Sequence, residues 1–382
     1  MPAFSHLRPL VPIGRAALER GHPVAVAADE QLEPEVRRHG FEHFPVEYRP
    51  PDVRPWDADR YARAFVANQR LGLRRDYERH TVFASAHVAE RLLPVVRQWR
   101  PDFLLRDGAD YGAYLAAEMA DLPHAAVAGG ECCLLDARKL LDRVNECRTG
   151  LGLDAVDDPA HPHRHLHISF LPREWDPAHL AGPTVRCYRQ PIVLDTAPLD
   201  DRIASLPRDR PLVLASLGSS DWMWKVPAFA AVLRTLVEAL GALGCSAVVA
   251  LGADQDPARW SGPRPDNVLL ADFVPQQQLL PSCDLFVTHA GFESTRESLV
   301  AGVPTVALPL MGDQLVHAAR LAAVGAGLAL DTRELTVEML VAACRTALDD
   351  PCYRWAARSM QRRILALPGL DRLVDDLARR AG

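Results

Sequence analysis

Residues Asp284–Gln314 read DLFVTHAGFESTRESLVAGVPTVALPLMGDQ, and their pattern decides the fold. Asp284–His289 is a short apolar run ending in an imidazole, Gly291 opens a turn, Ser294–Val300 has helical spacing, and Pro304–Pro309 is a second apolar run. The spacing predicts strand, turn, helix, strand. A strand that ends at a helix N-terminus makes an anion seat, because the first turn has N–H groups without carbonyl partners and the helix dipole is positive there. His289, Gly291, Ser294 and Thr295 lie at that mouth with small or hydrogen-bonding side chains, which suits a diphosphate. Asp313 and Gln314 follow the second strand and are expected at the same sheet edge.

The alternation extends outward from this stretch. Upstream, the pattern predicts strands at Leu212–Leu217, Ser246–Leu251 and Asn267–Ala271, with helices at Pro227–Leu243 and Gln276–Pro281. Downstream, helices are expected at Thr336–Asp349, Pro351–Leu367 and Asp371–Arg380. The run DTAPLDDRIASLPRDR, Asp195–Arg210, is polar, bears proline, lacks sustained periodicity and reads as an interdomain linker. Before it the first half shows the same plan: strands at Pro23–Ala28, Phe41–Tyr48, Pro101–Asp107 and His124–Ala128 alternate with helices at Leu32–His39, Ala109–Ala120 and about Leu134–Gly150. Two further helical segments, about Ala58–Leu73 and Tyr77–Trp99, follow a loop rich in proline and charge. Strands alternating with helices in both halves mean α/β domains with parallel sheets.

The stretch resembles the donor-binding signature of family-one, GT-B-type glycosyltransferases, which often reads H-x-G-x-N-S-T-x-x-E, then G-V-P, then D-Q. His289, Gly291, Ser294, Thr295, Glu297, Gly302, Val303, Pro304, Asp313 and Gln314 fit that signature, and the match resembles the subgroup that decorates bacterial secondary metabolites such as macrolides, enediynes and polyketides. The resemblance implies two Rossmann-like domains facing across a cleft. An acceptor domain would span 1–195, a linker 196–210 and a nucleotide-sugar domain 211–366, with a terminal helix at 367–382 packed back on the first. It also implies that His289, Gly291 and Ser294 hold a diphosphate, that Glu297 lies toward the nucleoside, and that Asp313 and Gln314 hold sugar hydroxyls. Phe273-Val274-Pro275-Gln276 resembles the segment that stacks a pyrimidine while the following backbone reads the base edge, and Ser219 in Gly218-Ser219-Ser220 would touch phosphate. Two departures stand out: Ala290 replaces a frequent Gly or Cys, and Glu293 stands where an amide is usual. A Glu293 carboxylate facing the diphosphate would weaken binding by like-charge repulsion, whereas one turned away would stabilise its own helix N-terminus.

The start of the chain differs from that family. Ser5-His6-Leu7-Arg8-Pro9 reads as a loop running into a helix whose apolar positions Leu7, Leu10, Val11 and Leu18 share one face. It resembles the Gly-His-x-x-Pro loop that carries the family's catalytic histidine. The family's buried first strand, which precedes this loop, has no counterpart here. The expected explanation is a start assigned too far downstream, since an empty central slot would expose backbone and core. An imidazole with an ordinary pKa near neutrality serves as a base at cellular pH, which makes His6 the candidate. Asp107 matches the acidic partner, with Asp110 three residues on as its substitute; otherwise His6 is a capping or surface residue and Asp107 a helix N-cap.

Composition excludes several other classes. At 382 residues, with 48% hydrophobic and 24% charged residues, the chain is long enough for two ordinary domains. A formal net charge of −6 argues against nucleic acid or anionic membrane as partner. No run reaches a membrane span. The eight cysteines are scattered without zinc spacing, which reads as reduced thiols of a cytoplasmic protein. His163, His165 and His167 share one face if extended, a metal-like spacing without a carboxylate or Cys companion, so the plainer reading is a polar strand face. The triplets Asp57/Asp59 and Asp254/Asp256 fall in loops away from the cluster, so no metal and no cofactor are expected. The absence of Gly-x-Gly-x-x-Gly argues against a nicotinamide or flavin enzyme.

The resulting expectation is a metal-independent hexosyltransferase. It would move a sugar from a dTDP- or UDP-sugar to a hydroxyl of a natural-product aglycone, inverting the anomeric carbon, with a homodimer left open. The alternatives are a non-catalytic nucleotide-sugar-binding or auxiliary homologue, and a nucleotide-sugar epimerase of similar architecture.

Overall fold

Apolar runs joined by helices pair in parallel, because each crossover returns the chain to the same end of the sheet. Every strand pair of the described chain is parallel. The computed structural model describes residues 4–48, 82, 84–175, 182–192, 198–218, 227–252 and 255–382. They group into two compact units, one of residues up to Pro191 together with Ala366–Gly382, the other of Ile192–Leu365. Among the described residues no helix is long and apolar enough to cross a membrane.

In the first unit α1 (Phe4–Leu7) and α2 (Val11–Glu19) precede β1 (Ala25–Ala28), α3 (Glu33–Arg38) and β2 (Glu42–Pro45). There follow α4 (Ser85–Trp99), β3 (Leu104–Asp107), α5 (Tyr111–Met119), β4 (His124–Val127), α6 (Ala137–Gly150), β5 (Leu166–Ser169) and β6 (Val185–Cys187). β1 and β2 form a two-stranded sheet, and a separate sheet runs β3-β4-β5-β6. β4 and β5 are buried along their whole length, whereas most of β1 and β3 is half-buried. The Tyr48 hydroxyl donates within 3.3 Å of both the Ala27 carbonyl in β1 and the Asp110 carboxylate beyond β3. A phenol therefore links the two sheets at this point.

In the second unit α7 (Asp201–Ala204), β7 (Leu212–Ser216), α8 (Pro227–Gly241), β8 (Ser246–Ala250), β9 (Val268–Ala271) and α9 (Gln276–Leu279) come first. Next are β10 (Leu285–Thr288), α10 (Phe292–Ala301), β11 (Thr305–Ala307), α11 (Gln314–Ala323), β12 (Gly327–Ala329), α12 (Val337–Asp349) and α13 (Pro351–Leu365). The six strands run β12-β11-β10-β7-β8-β9. Strand order reverses between β7 and β10, so the loops after those two strands flank the switch point where doubly wound sheets bind ligands.

The structure adds a turn to one segment and corrects the reading of another. The segment read as a linker carries a helical turn, α7, with Asp200 as its cap and Ile203 buried in the core beside Leu214 and Phe286. Local polarity hid it, because one apolar side chain in a short helix leaves no periodicity to read. His161–His163 is a 3-10 turn rather than part of an extended face, and His167 lies buried in β5. The helices expected at about 58–73 and at the start of 77–99 lie outside the described residues.

The last helix, α14 (Leu370–Ala381), packs on the first unit. Leu370, Leu373 and Leu377 enter a core with Ile13, Val127 and Ile168, each leucine stabilising by roughly 1.5–3 kcal/mol. Tyr188 donates to Asp376 at 2.6 Å, and the Arg189 N–H donates to the Pro368 carbonyl at 2.7 Å.

Candidate active site

Two of the proposed site loops leave the sheet at the switch point. His289 follows β10, and Gly218 follows β7 with φ +100, a value that suits glycine. Ser219 lies outside the described residues. The His289 main-chain N–H donates to the Ser216 carbonyl at 3.4 Å, tying the two loops together. Burial pushes the His289 imidazole down to about 4, with Asp313 and the Ser216 backbone pulling the other way. It is therefore neutral at pH 7, and its Nδ1 is buried without a partner. His289 can donate a hydrogen bond to an anion but brings no formal charge of its own.

Gly291 is the N-cap of α10, and no side chain caps that end. A Cβ at Gly291 would stand 2.5 Å from His289 Nε2, so glycine is what lets the ring lie over the helix mouth. The Thr295 N–H closes the first turn on the Gly291 carbonyl at 2.9 Å, and the Thr295 hydroxyl is buried without a partner. The helical register leaves the N–H groups of Phe292, Glu293 and Ser294 without a carbonyl one turn earlier, at the place where the anion seat is expected. Ala290, one of the two departures, is fully buried with φ +61. A side chain in that left-handed region is strained by about 1–2 kcal/mol, which explains why glycine suits the position. Glu293, the other departure, turns its carboxylate onto Arg296 at 2.8 Å.

The residues expected on the nucleoside side meet at Glu297, which is buried and accepts from Gln276 Nε2 at 2.5 Å and Gln277 Nε2 at 2.8 Å. Gln276 also reaches the Ser294 hydroxyl at 3.4 Å. Phe273, just after β9, is 63% exposed while Val274 is packed in the core. An apolar ring left in solvent just beyond a strand end is available for stacking. Gln314 behaves differently: its Oε1 accepts the N–H groups of Leu310 and Met311 at 2.8 and 3.0 Å, so half of this amide is spent holding its own loop. Asp313 lies 3.3 Å from His317.

In the first unit His6 Nδ1 lies 3.2 Å from Asp107 Oδ2, with the two side chains 19% and 14% exposed. Asp107 ends β3, and its other oxygen accepts the Ala109 N–H at 2.7 Å. Burial works to raise the Asp107 pKa, but His6 and that N–H hold it below the usual carboxylate range. Asp110 is occupied elsewhere, as the cap of α5 through the Ala113 N–H and as acceptor for Tyr48. The turn is braced from behind by Arg106, 2% exposed, which donates to the carbonyls of Asp107, Gly108 and Asp110. Gly129 is small for a related reason: a Cβ there would come within 3.0 Å of Asp107 Oδ2.

The histidine-rich segment forms a separate network. His124 and Arg148 both contact Glu118, at 3.3 and 2.9 Å, Tyr114 meets His161 at 2.9 Å, and His163 meets His167 at 3.1 Å. Burial takes His124 down to about 2, with Arg106 and His165 adding to the effect. Among the described residues no group of three His, Cys, Asp or Glu side chains has metal-holding geometry. Asp256 caps a short turn through the Ala258 N–H, while Asp57, Asp59 and Asp254 lie outside the described residues.

Arg296, Gln277, Tyr48 and Arg106 were not picked out from sequence. For Arg296 a signal existed, since it stands three residues after an acid on a helix. For Tyr48 none did, because its partners come from distant elements, and for Arg106 none did, because a strand arginine folding back onto the carbonyls of the turn that follows it leaves no pattern in the sequence.

The family model described as erythromycin biosynthesis protein CIII-like, C-terminal domain, matches residues 234–379. The L-demethylnoviosyl transferase of Streptomyces niveus is 30% identical over 390 residues, covering 100% of this chain and 93% of that protein. The NDP-glycosyltransferase YjiC of Bacillus subtilis (strain 168) is 24% identical over 393 residues, covering 99% and 95%. Among solved structures, the spinosyn rhamnosyltransferase SpnG superposes with a TM-score of 0.78 at 23% identity, covering 99% of this chain and 98% of that one. The glycosyltransferase VinC in complex with DTDP superposes with a TM-score of 0.74 at 24% identity, covering 100% and 97%. At this identity the two superpositions speak for the fold.

Proposed function

This chain belongs to the glycosyltransferases of natural-product biosynthesis, and on that premise we propose that it moves a sugar from a dTDP- or UDP-sugar to a hydroxyl of a natural-product aglycone, inverting the anomeric carbon. The observation that carries the reading is the His6–Asp107 pair at 3.2 Å. In this reading His6 takes the proton of the acceptor hydroxyl as its oxygen bonds to the anomeric carbon. The bond from that carbon to the diphosphate breaks, and the nucleoside diphosphate leaves with the electron pair. Asp107, held ionised beside the ring, stabilises the imidazolium that forms.

The departing charge is met by N–H groups of the first turn of α10 and by the neutral His289 donor. Preorganised dipoles of this kind stabilise developing charge without reorganising. Phe273 stacks the base, the Gln276–Glu297 pair lies on the nucleoside side, and Asp313 with the remaining Gln314 N–H groups takes sugar hydroxyls. Gln314 contributes through its N–H groups alone, since its amide oxygen holds the loop.

Transfer from dTDP- and UDP-sugars to a panel of macrolide and polyketide aglycones is the direct test, run with donor-alone controls. The reading expects transfer that His6→Ala abolishes while dTDP or UDP binding persists. Binding without turnover, indifferent to His6→Ala, would instead leave a non-catalytic nucleotide-sugar binder, and donor conversion without acceptor would mean an epimerase.

A further inference from the structure

Glu293 and Arg296 form a pair whose shape is poorly explained by stability. Their side chains are 15% and 4% exposed, and they meet through one bond, Arg296 Nη2 to Glu293 Oε2 at 2.8 Å. Glu293 Oε1 and Arg296 Nε are both buried without partners. A buried pair with unmatched atoms returns little of its desolvation cost, so it is weak as a stabilising device. A second carboxylate, Glu297, lies 4.0 Å from the same guanidinium but is itself held by Gln276 and Gln277.

The pair sits at the seat of α10. Glu293 is the second residue of that helix, in the turn whose N–H groups are unpaired. A carboxylate there is favoured by the helix dipole for the same reason that a phosphate is, so the two compete for one field. Arg296, one turn along and facing the core, draws the Glu293 carboxylate back along the helix and cancels its charge.

We propose that Arg296 is a positioning residue of the donor site, which holds Glu293 off the first-turn N–H groups so that they receive the donor's diphosphate. This rests on the reading of the α10 N-terminus as the diphosphate seat. The pair is then a substitute for the neutral amide expected at position 293: an acid and a base in place of one uncharged side chain. The role acts on the phosphates alone and leaves the nucleoside contacts at Phe273 and Gln276 untouched.

The test uses the full chain and two probes, dTDP and thymidine, or UDP and uridine if the wild type prefers them, titrated by calorimetry well below the melting temperature. Arg296→Met frees the carboxylate, and like-charge repulsion at close range is expected to weaken dTDP by about ten- to a hundredfold while thymidine binding stays unchanged. Adding Glu293→Gln to Arg296→Met is expected to restore dTDP binding. Glu293→Gln by itself, which keeps the arginine, should tighten dTDP and again leave thymidine alone. If Arg296→Met weakens both probes equally or neither, or if the double variant fails to restore dTDP while remaining folded, the inference is overturned. A wild type that binds no nucleoside diphosphate at all would instead overturn the reading of the seat.

Discussion

His6 and His289, one in each unit, are the same side chain brought to opposite behaviour. His6 is part-exposed and touches a carboxylate at 3.2 Å, so a proton arriving on it is countered at once. His289 is buried, and Asp313 acts on it too weakly to offset burial, which leaves it at about 4. Desolvation and charge pairing pull an imidazole in opposite directions, and contact decides which wins. A fold can thus make a proton acceptor and an uncharged hydrogen-bond donor from one residue type, and our reading uses one of each.

The sharpest way to break this contrast is to remove the countercharge on one side. Asp107→Asn leaves a ring without an anion and with its tautomer unfixed, and kcat is expected to fall by about 10²–10⁴-fold with donor KM unchanged. Steady-state kinetics check this, and a loss confined to KM would contradict it. On the other side, Gly291→Ala drives a Cβ against the His289 ring. Donor affinity should drop about tenfold, or 1.4 kcal/mol, with kcat at saturating donor much less affected; calorimetry with dTDP reads it.

Acid sharpens the comparison further. His289 and His124 have folded pKa values lowered from 6.5 to about 4 and about 2. Above pH 6.5 neither state binds a proton at these sites. As pH falls below that, the unfolded chain takes one up and the folded chain does not. Stability is therefore lost on going down, by up to about 1.4 kcal/mol per pH unit for each histidine, until the folded values are reached. Asp107, with its lowered pKa, loses its contribution only below the ordinary carboxylate range and so does not act between pH 7.5 and 5. Urea unfolding at pH 7.5 and 5 would show the decline, and equal stabilities would refute it. The smallest effect is expected at Ala290: glycine there removes left-handed strain but adds unfolded-chain freedom, so Ala290→Gly should change stability by no more than about 1 kcal/mol, toward greater stability. Thermal melting decides the sign.

Much of the architecture was legible in the chain itself. The alternation from Leu212 to Pro309 predicts the parallel sheet of the second unit, because strands buried on both faces must be continuous apolar runs. The mouth of α10 was legible for the same reason, since a strand, a glycine and a helical period can be read without partners. Tyr48, Arg106 and Gln314 were not: Tyr48 is committed by groups on other elements, and Arg106 and Gln314 by nearby backbone groups whose orientation the local sequence does not reveal. The histidines between 161 and 167 misled in the same way, since a spacing shared by strands and by short turns does not tell which forms.

Backbone periodicity thus determined from sequence alone that the chain is an α/β protein, and the small-residue cluster between His289 and Gln314 marked one helix end as the candidate anion seat. Local hydrogen-bonding and burial patterns repeat within a few residues, and a one-dimensional string records them. Tertiary structure alone decided that Asp107 rather than Asp110 meets His6, that Glu293 turns to Arg296, and that His289 is neutral. Those outcomes depend on which groups converge through space and how much water is excluded from them, and neither is written in any single segment.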